Sequence, residues 1–173
     1  MHRIELPDGV EAHLSGSALT IRGSLGSNLR RFNASLLGVA VEGRAIIIRC
    51  ASAHKVARKA SAAEAALASE LSNDVKGVCG YFEKRMEIVY AHFPMSVDVN
   101  GSTLVIKNML GERAPRHAAI VGNTKLEIKG QRLRIYGTSL DDVAQSAANI
   151  RQACRIKDKD PRVFQDGIYL EVE

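Results

Sequence analysis

The chain has 173 residues, 24 Lys and Arg against 19 Asp and Glu, a formal charge of +5 and no Trp. That length holds one or two small domains with cores of Val, Ile, Leu and Ala, and the charge suits a polyanionic partner or plain solubility. Cys50, Cys79 and Cys154 are odd in number and form no Cys-x-x-Cys pair. This argues against a disulfide framework or zinc site and fits three small core residues in a reducing compartment.

Residues 3–6 and 10–14 read as short strands on either side of Pro7, Asp8 and Gly9, and 19–22 as a third. Residues 23–32, with two Gly and two Ser, read as a loop. Strands at 39–42 and 45–49 form a hairpin across Gly43 and Arg44. A helix is expected over 54–71, where Val56, Ala60, Ala63, Leu67 and Leu71 make an apolar stripe and Ala supplies propensity. Gly77 and Gly80 close this half. Strands at 86–91, 96–99 and 103–107 follow, then a loop over 108–116 and a hairpin of 125–129 with 132–136. A second helix starts at Ser139 as N-cap, with Asp141 and Asp142 where the macrodipole favours acid. Val143, Ala147, Ile150 and Cys154 form its buried stripe. A basic stretch over 156–162, a turn at Gly167 and a strand over 168–172 complete the chain.

The order of elements repeats, and so does the sequence. SGSALTIRGSLG at 15–26 returns 85 residues later as NGSTLVIKNMLG at 100–111. Each copy continues into a Gly-centred hairpin, an apolar strand and a helix. A repeat of this length is the size of a small domain. The expected architecture is α+β: two tandem duplicated domains, 1–80 and 81–173, each a mostly antiparallel sheet packed with one main helix. No apolar run reaches membrane-spanning length and no signal-peptide pattern opens the chain, so a cytoplasmic protein without membrane contact is expected.

Catalytic chemistry finds little support. His2, His13, His54, His92 and His117 make no metal-binding spacing, and His92 reads as a packing or hydrogen-bonding residue. Cys50 ends an Ile-rich strand and is expected to point into the core, away from the electropositive, exposed setting a nucleophile needs. Asp158 and Asp160 sit among Lys157, Lys159 and Arg162, which would repel a cation. No enzyme activity, cofactor or metal is expected. Gly23, Gly26 and Gly111 allow backbone to approach a phosphate, but turn geometry explains them as well.

The cations are more informative. Arg151, Arg155, Lys157, Lys159 and Arg162 fall within 12 residues. The helix dipole accounts for Arg151 and Arg155 but not for the loop beyond. A basic loop can follow a phosphate backbone, with Phe164 for packing or stacking. Arg113 and Arg116 in the loop, and Lys55, Arg58 and Lys59 opening the first helix, are secondary candidates to face RNA. In the first half, the weakly charged segment 72–76 stands where the second has its basic loop.

Residues 152–170, QACRIKDKDPRVFQDGIYL, resemble the C-terminal signature of the large-subunit ribosomal protein six family in its archaeal and eukaryotic branch. Residues 77–81, 89–94 and 143–150 are similar to the same family, which is itself an internal duplication. Bacterial members carry a Lys-Gly-Lys-type sequence there, so the chain looks archaeal. The resemblance implies a structural protein of the cytoplasmic ribosome that binds large-subunit rRNA near the stalk base and the sarcin–ricin region, where translation factors dock. It implies that the second domain makes the main contact through the loop 157–167, which adds Gln165 and Gly167 to the candidates. The first domain would project outward, toward neighbouring ribosomal proteins or factors. Glu173 stands where a basic residue is usual, which removes the extreme C-terminus from the expected contact. The rival reading is a duplicated protein–protein interaction module whose charge serves solubility.

Overall fold

The computed structural model describes residues 2–50, 57–157, 159–160 and 162–171; Lys55, Asp158, Pro161, Val172 and Glu173 lie outside the described residues, as does the expected helix start at 54–56. The chain divides into two compact units, Met1–Tyr81 and Phe82–Glu173. The first contains β1 (His2–Glu5), β2 (Glu11–Ser15), β3 (Ala18–Gly23), β4 (Gly26–Arg31), β5 (Leu37–Glu42), β6 (Ala45–Cys50) and α1 (Ala57–Cys79). The second contains β7 (Phe82–Val89), β8 (Ser96–Asn100), β9 (Thr103–Lys107), a 3-10 turn at Met109–Gly111, β10 (Arg116–Ala119), β11 (Lys125–Lys129), β12 (Arg132–Gly137), α2 (Leu140–Ala153) and β13 (Gly167–Leu170).

Every strand pair is antiparallel, and each unit is α+β. Each holds two small sheets where the sequence suggested one. The first unit has the orders β1-β6-β5 and β2-β3-β4; the second has β11-β12-β7-β13 and β10-β9-β8. The copies match in detail. Gly16 and Gly101 turn at φ +60° and +59°, and Gly43 and Gly130 at +60° and +62°, a conformation that excludes most side chains. Leu19 and Ile21 of β3 are fully buried, as are Leu104 and Ile106 of β9. Ile4 faces Ile46 across its ladder as Met86 faces Leu133. Leu67, Leu71, Asp74 and Val78 are among the buried residues of α1, and Val143, Ala147 and Ile150 among those of α2 with Cys154 at its C-cap, each set in steps of four, three and four. A fully buried Leu or Ile at such a position contributes about 1.5–3 kcal/mol of transfer free energy.

The expected loop over 23–32 contains β4, and α1 runs past Leu71 to Cys79. One buried cluster causes both departures. Asn28 and Arg30 of β4 face inward opposite Ile21 and Leu19, while Leu29 is 59% exposed. The strand therefore alternates with its polar residues inside. Their partner is Asp74, 1% exposed on α1, which accepts from Arg30 Nε and Nη2 at 2.9 Å each and from Asn28 Nδ2 at 3.3 Å. A polar inward row on β4 hides the strand, and Asp74 breaks the apolar stripe that Val75 and Val78 continue. The segment 72–76 is helical, so it is not a counterpart of the basic loop.

Three further corrections concern local chemistry. The loop over 108–116 ends in β10, whose Ala118 is buried on the sheet. Cys50 and Cys79 are exposed, and only Cys154 of the three is a core residue. The close approach at Gly23 is to a helix: an added Cβ would lie 2.8 Å from Val78 Cβ and 2.9 Å from its carbonyl oxygen. Leu25 N–H donates to that carbonyl at 3.2 Å, so this turn closes the negative end of α1 rather than cradling an anion.

Candidate nucleic-acid interface

The basic loop of the second unit leaves α2 and returns in β13. α2 starts where Ser139 Oγ accepts from Asp142 N–H at 3.3 Å, with Asp141 and Asp142 in the first turn. Its far end is closed by a side chain from another element. Arg116 Nη1 donates to the carbonyls of Ala153 and Arg155, both at 2.9 Å. Its Nε and Nη2 hold Glu112 Oε2 and Oε1 at 2.8 and 2.5 Å. The hydrogen bond from Arg116 holds the Glu112 carboxyl below the usual range and raises the guanidinium. Arg116 is thus occupied at the root of the loop.

The loop itself is built around Asp160 and pinned at its exit. Asp160 Oδ1 accepts from Arg162 N–H at 2.9 Å, and its carbonyl accepts from Val163 and Phe164 at 3.1 and 3.0 Å. Phe164 is half-buried against the core, its ring 4.7 Å from Lys159 Nζ and 5.2 Å from the His92 ring. Asp166 is 1% exposed; Oδ1 accepts from Ala91 N–H at 2.7 Å and lies 3.8 Å from His92 Nδ1. Gln165 is exposed and its carbonyl accepts from Tyr169 Oη at 3.1 Å. Gly167 is buried at the start of β13 against the Tyr169 ring. His92 therefore packs against Phe164 beside Asp166, while Phe164, Gly167 and the backbone of Gln165 anchor the loop.

Lys157, Lys159 and Arg162 are exposed on this pinned loop, and none makes an ion pair with a described carboxylate. Arg113 is also exposed, and so are Arg58 and Lys59, in the first unit. Arg151 and Arg155 are exposed but turn onto a different feature. They line a cleft of about 850 Å³ between α2 and β13, together with Lys84 of β7. The outward face of the four-stranded sheet behaves in the opposite way. Arg134 and Arg85 each bond Glu83 at 2.7 Å, and Arg132 lies 3.6 Å from Glu171. Hydrogen bonds from Arg134 and then Arg85 hold the Glu83 carboxyl low. The three arginines of that face are paired, while Lys125 and Lys129 beside them are exposed.

Sequence reasoning missed Arg116 as a helix closure, Asp166 as the loop's pin and Lys84 as a cleft residue. Lys84 was reachable: it shares the period-2 face of Met86 and Ile88. Arg116 was not, because its acceptors lie 37 and 39 residues away.

The architecture is that of a duplicated α+β protein. The family described as ribosomal protein L6 matches residues 93–167. Large ribosomal subunit protein uL6 of Methanocella arvoryzae is 42% identical over 98% of this chain and 95% of its own length. The proteins of the same name from Methanosarcina mazei and Thermoplasma volcanium are 43% and 44% identical, each over 96% of this chain and 93% and 92% of their own lengths. The chain belongs to the ribosomal protein L6 family, and its homologues here are archaeal. Those homologues are structural proteins and not enzymes, and this chain is no enzyme.

Proposed function

We propose that this protein binds large-subunit rRNA through the loop between α2 and β13, with Lys157, Lys159 and Arg162 neutralising phosphates. As a member of the L6 family it is a structural constituent of the large ribosomal subunit. The observation that carries the finer reading is the contrast in pairing. The loop cations are exposed and within ion-pair distance of no described carboxylate, Lys159 acting on Glu112 only from farther off, whereas Arg85, Arg132 and Arg134 of the sheet face are paired. Unpaired cations on a fixed loop can release counterions from a phosphate backbone without first breaking protein ion pairs. The pins at Arg116 and Asp166 limit the ordering cost on binding.

The location we propose, beside the stalk base and the sarcin–ricin region, is what the family resemblance implies. On the same reading the second unit is the anchor, and the first projects toward neighbouring ribosomal proteins or translation factors. The test is binding of the full chain to an rRNA fragment spanning the sarcin–ricin region. Lys157→Glu, Lys159→Glu and Arg162→Glu together should weaken binding well beyond the pair Arg58→Glu and Lys59→Glu. Equal losses, or a larger loss from the pair, would move the principal contact to the first unit.

A further inference from the structure

The basic cluster that looks continuous in sequence faces two ways, and the second direction has its own chemistry. Lys157, Lys159 and Arg162 belong to the loop. Arg151 and Arg155 instead stand over the cleft between α2 and β13, with Lys84 also on its lining. The floor is apolar, formed by residues such as Ala148, Ile168 and Leu170. No described lining residue is a carboxylate. Three cations around an apolar floor favour an occupant that is both acidic and able to bury side chains.

The sheet supplies a third requirement. β13 is the edge of its sheet, paired with β7 on one side alone. Glu171 N–H donates to the Arg85 carbonyl at 3.0 Å, which fixes the phase of the ladder. In an antiparallel pair such residues alternate, so Gly167, Tyr169 and Glu171 direct their backbone groups to β7. Ile168 and Leu170 direct theirs outward. The Cys154 sulfur takes the Ile168 N–H, and burial pushes that thiol up to about 11, so it stays a neutral wall of the cleft. Ile168 is 1% exposed, so the open edge is offered by Leu170, which is 41% exposed and directs both its backbone groups outward. A backbone donor and acceptor pair at Leu170 beside an apolar floor matches one rung of an added strand.

We propose that the cleft between α2 and β13 docks an extended, acidic segment of a neighbouring protein, which adds as a strand to the edge of β13. The rung at Leu170 centres the contact on the exposed end of β13. Alternate partner side chains enter the cleft and carboxylates meet Lys84, Arg151 and Arg155. The site is separate from the loop that we propose for RNA, and it stands or falls independently of that reading.

The test uses the full chain, isotope-labelled for NMR, and an eight-residue probe peptide of alternating Glu and Val. A Lys and Val peptide is the control, and the rRNA fragment forms a third arm. The Glu and Val peptide is expected to shift the Leu170 amide and slow its hydrogen exchange by roughly tenfold or more, as a new strand pairing requires. Arg151→Glu with Arg155→Glu should weaken the peptide by about tenfold or more through lost charge complementarity. Ala148→Gln fills the cleft at an exposed helical position without changing charge, so it should weaken the peptide and leave RNA affinity within about twofold. No change at Leu170 with the peptide at about 1 mM would overturn the proposal. So would protection of Leu170 by the RNA fragment, with Arg151→Glu and Arg155→Glu costing RNA as much as the loop triple; the cleft would then be RNA's. Failure of the RNA reading is distinct: the loop triple would leave RNA binding unchanged.

Discussion

Arg116 separates a cation that holds the loop from the cations that meet a ligand. Replacing it with Ala removes two charge-assisted bonds to backbone carbonyls and two to Glu112. The Ala153 carbonyl is part-buried, and losing a charged donor there costs about 1.5–3 kcal/mol. The Arg155 carbonyl and Glu112 are exposed, water replaces the guanidinium, and each adds about 0.5 kcal/mol. The sum is about 2.5–4 kcal/mol, confined to the second unit. Two units need not unfold together, so one melting curve would blur the effect. Residue-level hydrogen exchange reads it directly. At about 1.4 kcal/mol per tenfold, amides in the last turns of α2 should exchange roughly 60- to 700-fold faster. Arg116→Lys keeps a charge but not the planar fork, and should recover only part of the loss. The salt dependence of RNA binding should keep its slope, because no phosphate partner is lost. Unchanged exchange together with a slope reduced by about one would refute this account and make Arg116 a phosphate ligand.

Asp74, buried in the first unit, should be costly to remove. Asp74→Ala removes two charge-assisted bonds from Arg30, which keeps Glu70 at 3.8 Å, and should destabilise that unit by about 3 kcal/mol, read by exchange in α1 and β4, with RNA affinity unchanged. Gly23→Ala pushes a methyl into Val78 and its carbonyl, and should cost about 1–3 kcal/mol at the same amides. The Glu112 carboxyl is held low by Arg116, so its contribution is fully present above the unfolded value of about 4.3. It is lost as pH falls through the lower folded value. Protection of the last turn of α2 should therefore stay level from pH 7 to about 4.5 and decline below, and Glu112→Gln should flatten that decline.

The parts readable from sequence were those in which local chemistry and fold agree. The 125–129 hairpin strand alternates cleanly, and α2 begins at the residue its cap and first-turn acids indicate. The duplication survives as matching turn glycines and matching buried rows. β4 and the last two turns of α1 were hidden because the Asp74 cluster places polar groups where pattern reasoning expects apolar ones. In the site, the density of cations was legible from 151–162, and their division was not. Helical phase turns Arg151, and the chain just past α2 turns Arg155, toward β13, a strand whose pairing depends on β7 some 80 residues earlier. Phe164 was expected to offer packing or stacking, and Lys159 and His92 lie against its ring.

The central claim is that three loop cations meet phosphates. Affinity of the full chain for the sarcin–ricin rRNA fragment, measured from 50 to 200 mM salt, tests it most directly. Each neutralised phosphate contributes about 0.7–0.9 to the slope of log affinity against log salt, so three contribute about 2–3. Lys157→Gln, Lys159→Gln and Arg162→Gln together should lower the slope by that amount. The advantage of the unaltered chain over this variant should shrink by roughly 20- to 40-fold across the range. A variant that keeps the full slope would contradict the account and place the phosphate contacts elsewhere on the protein.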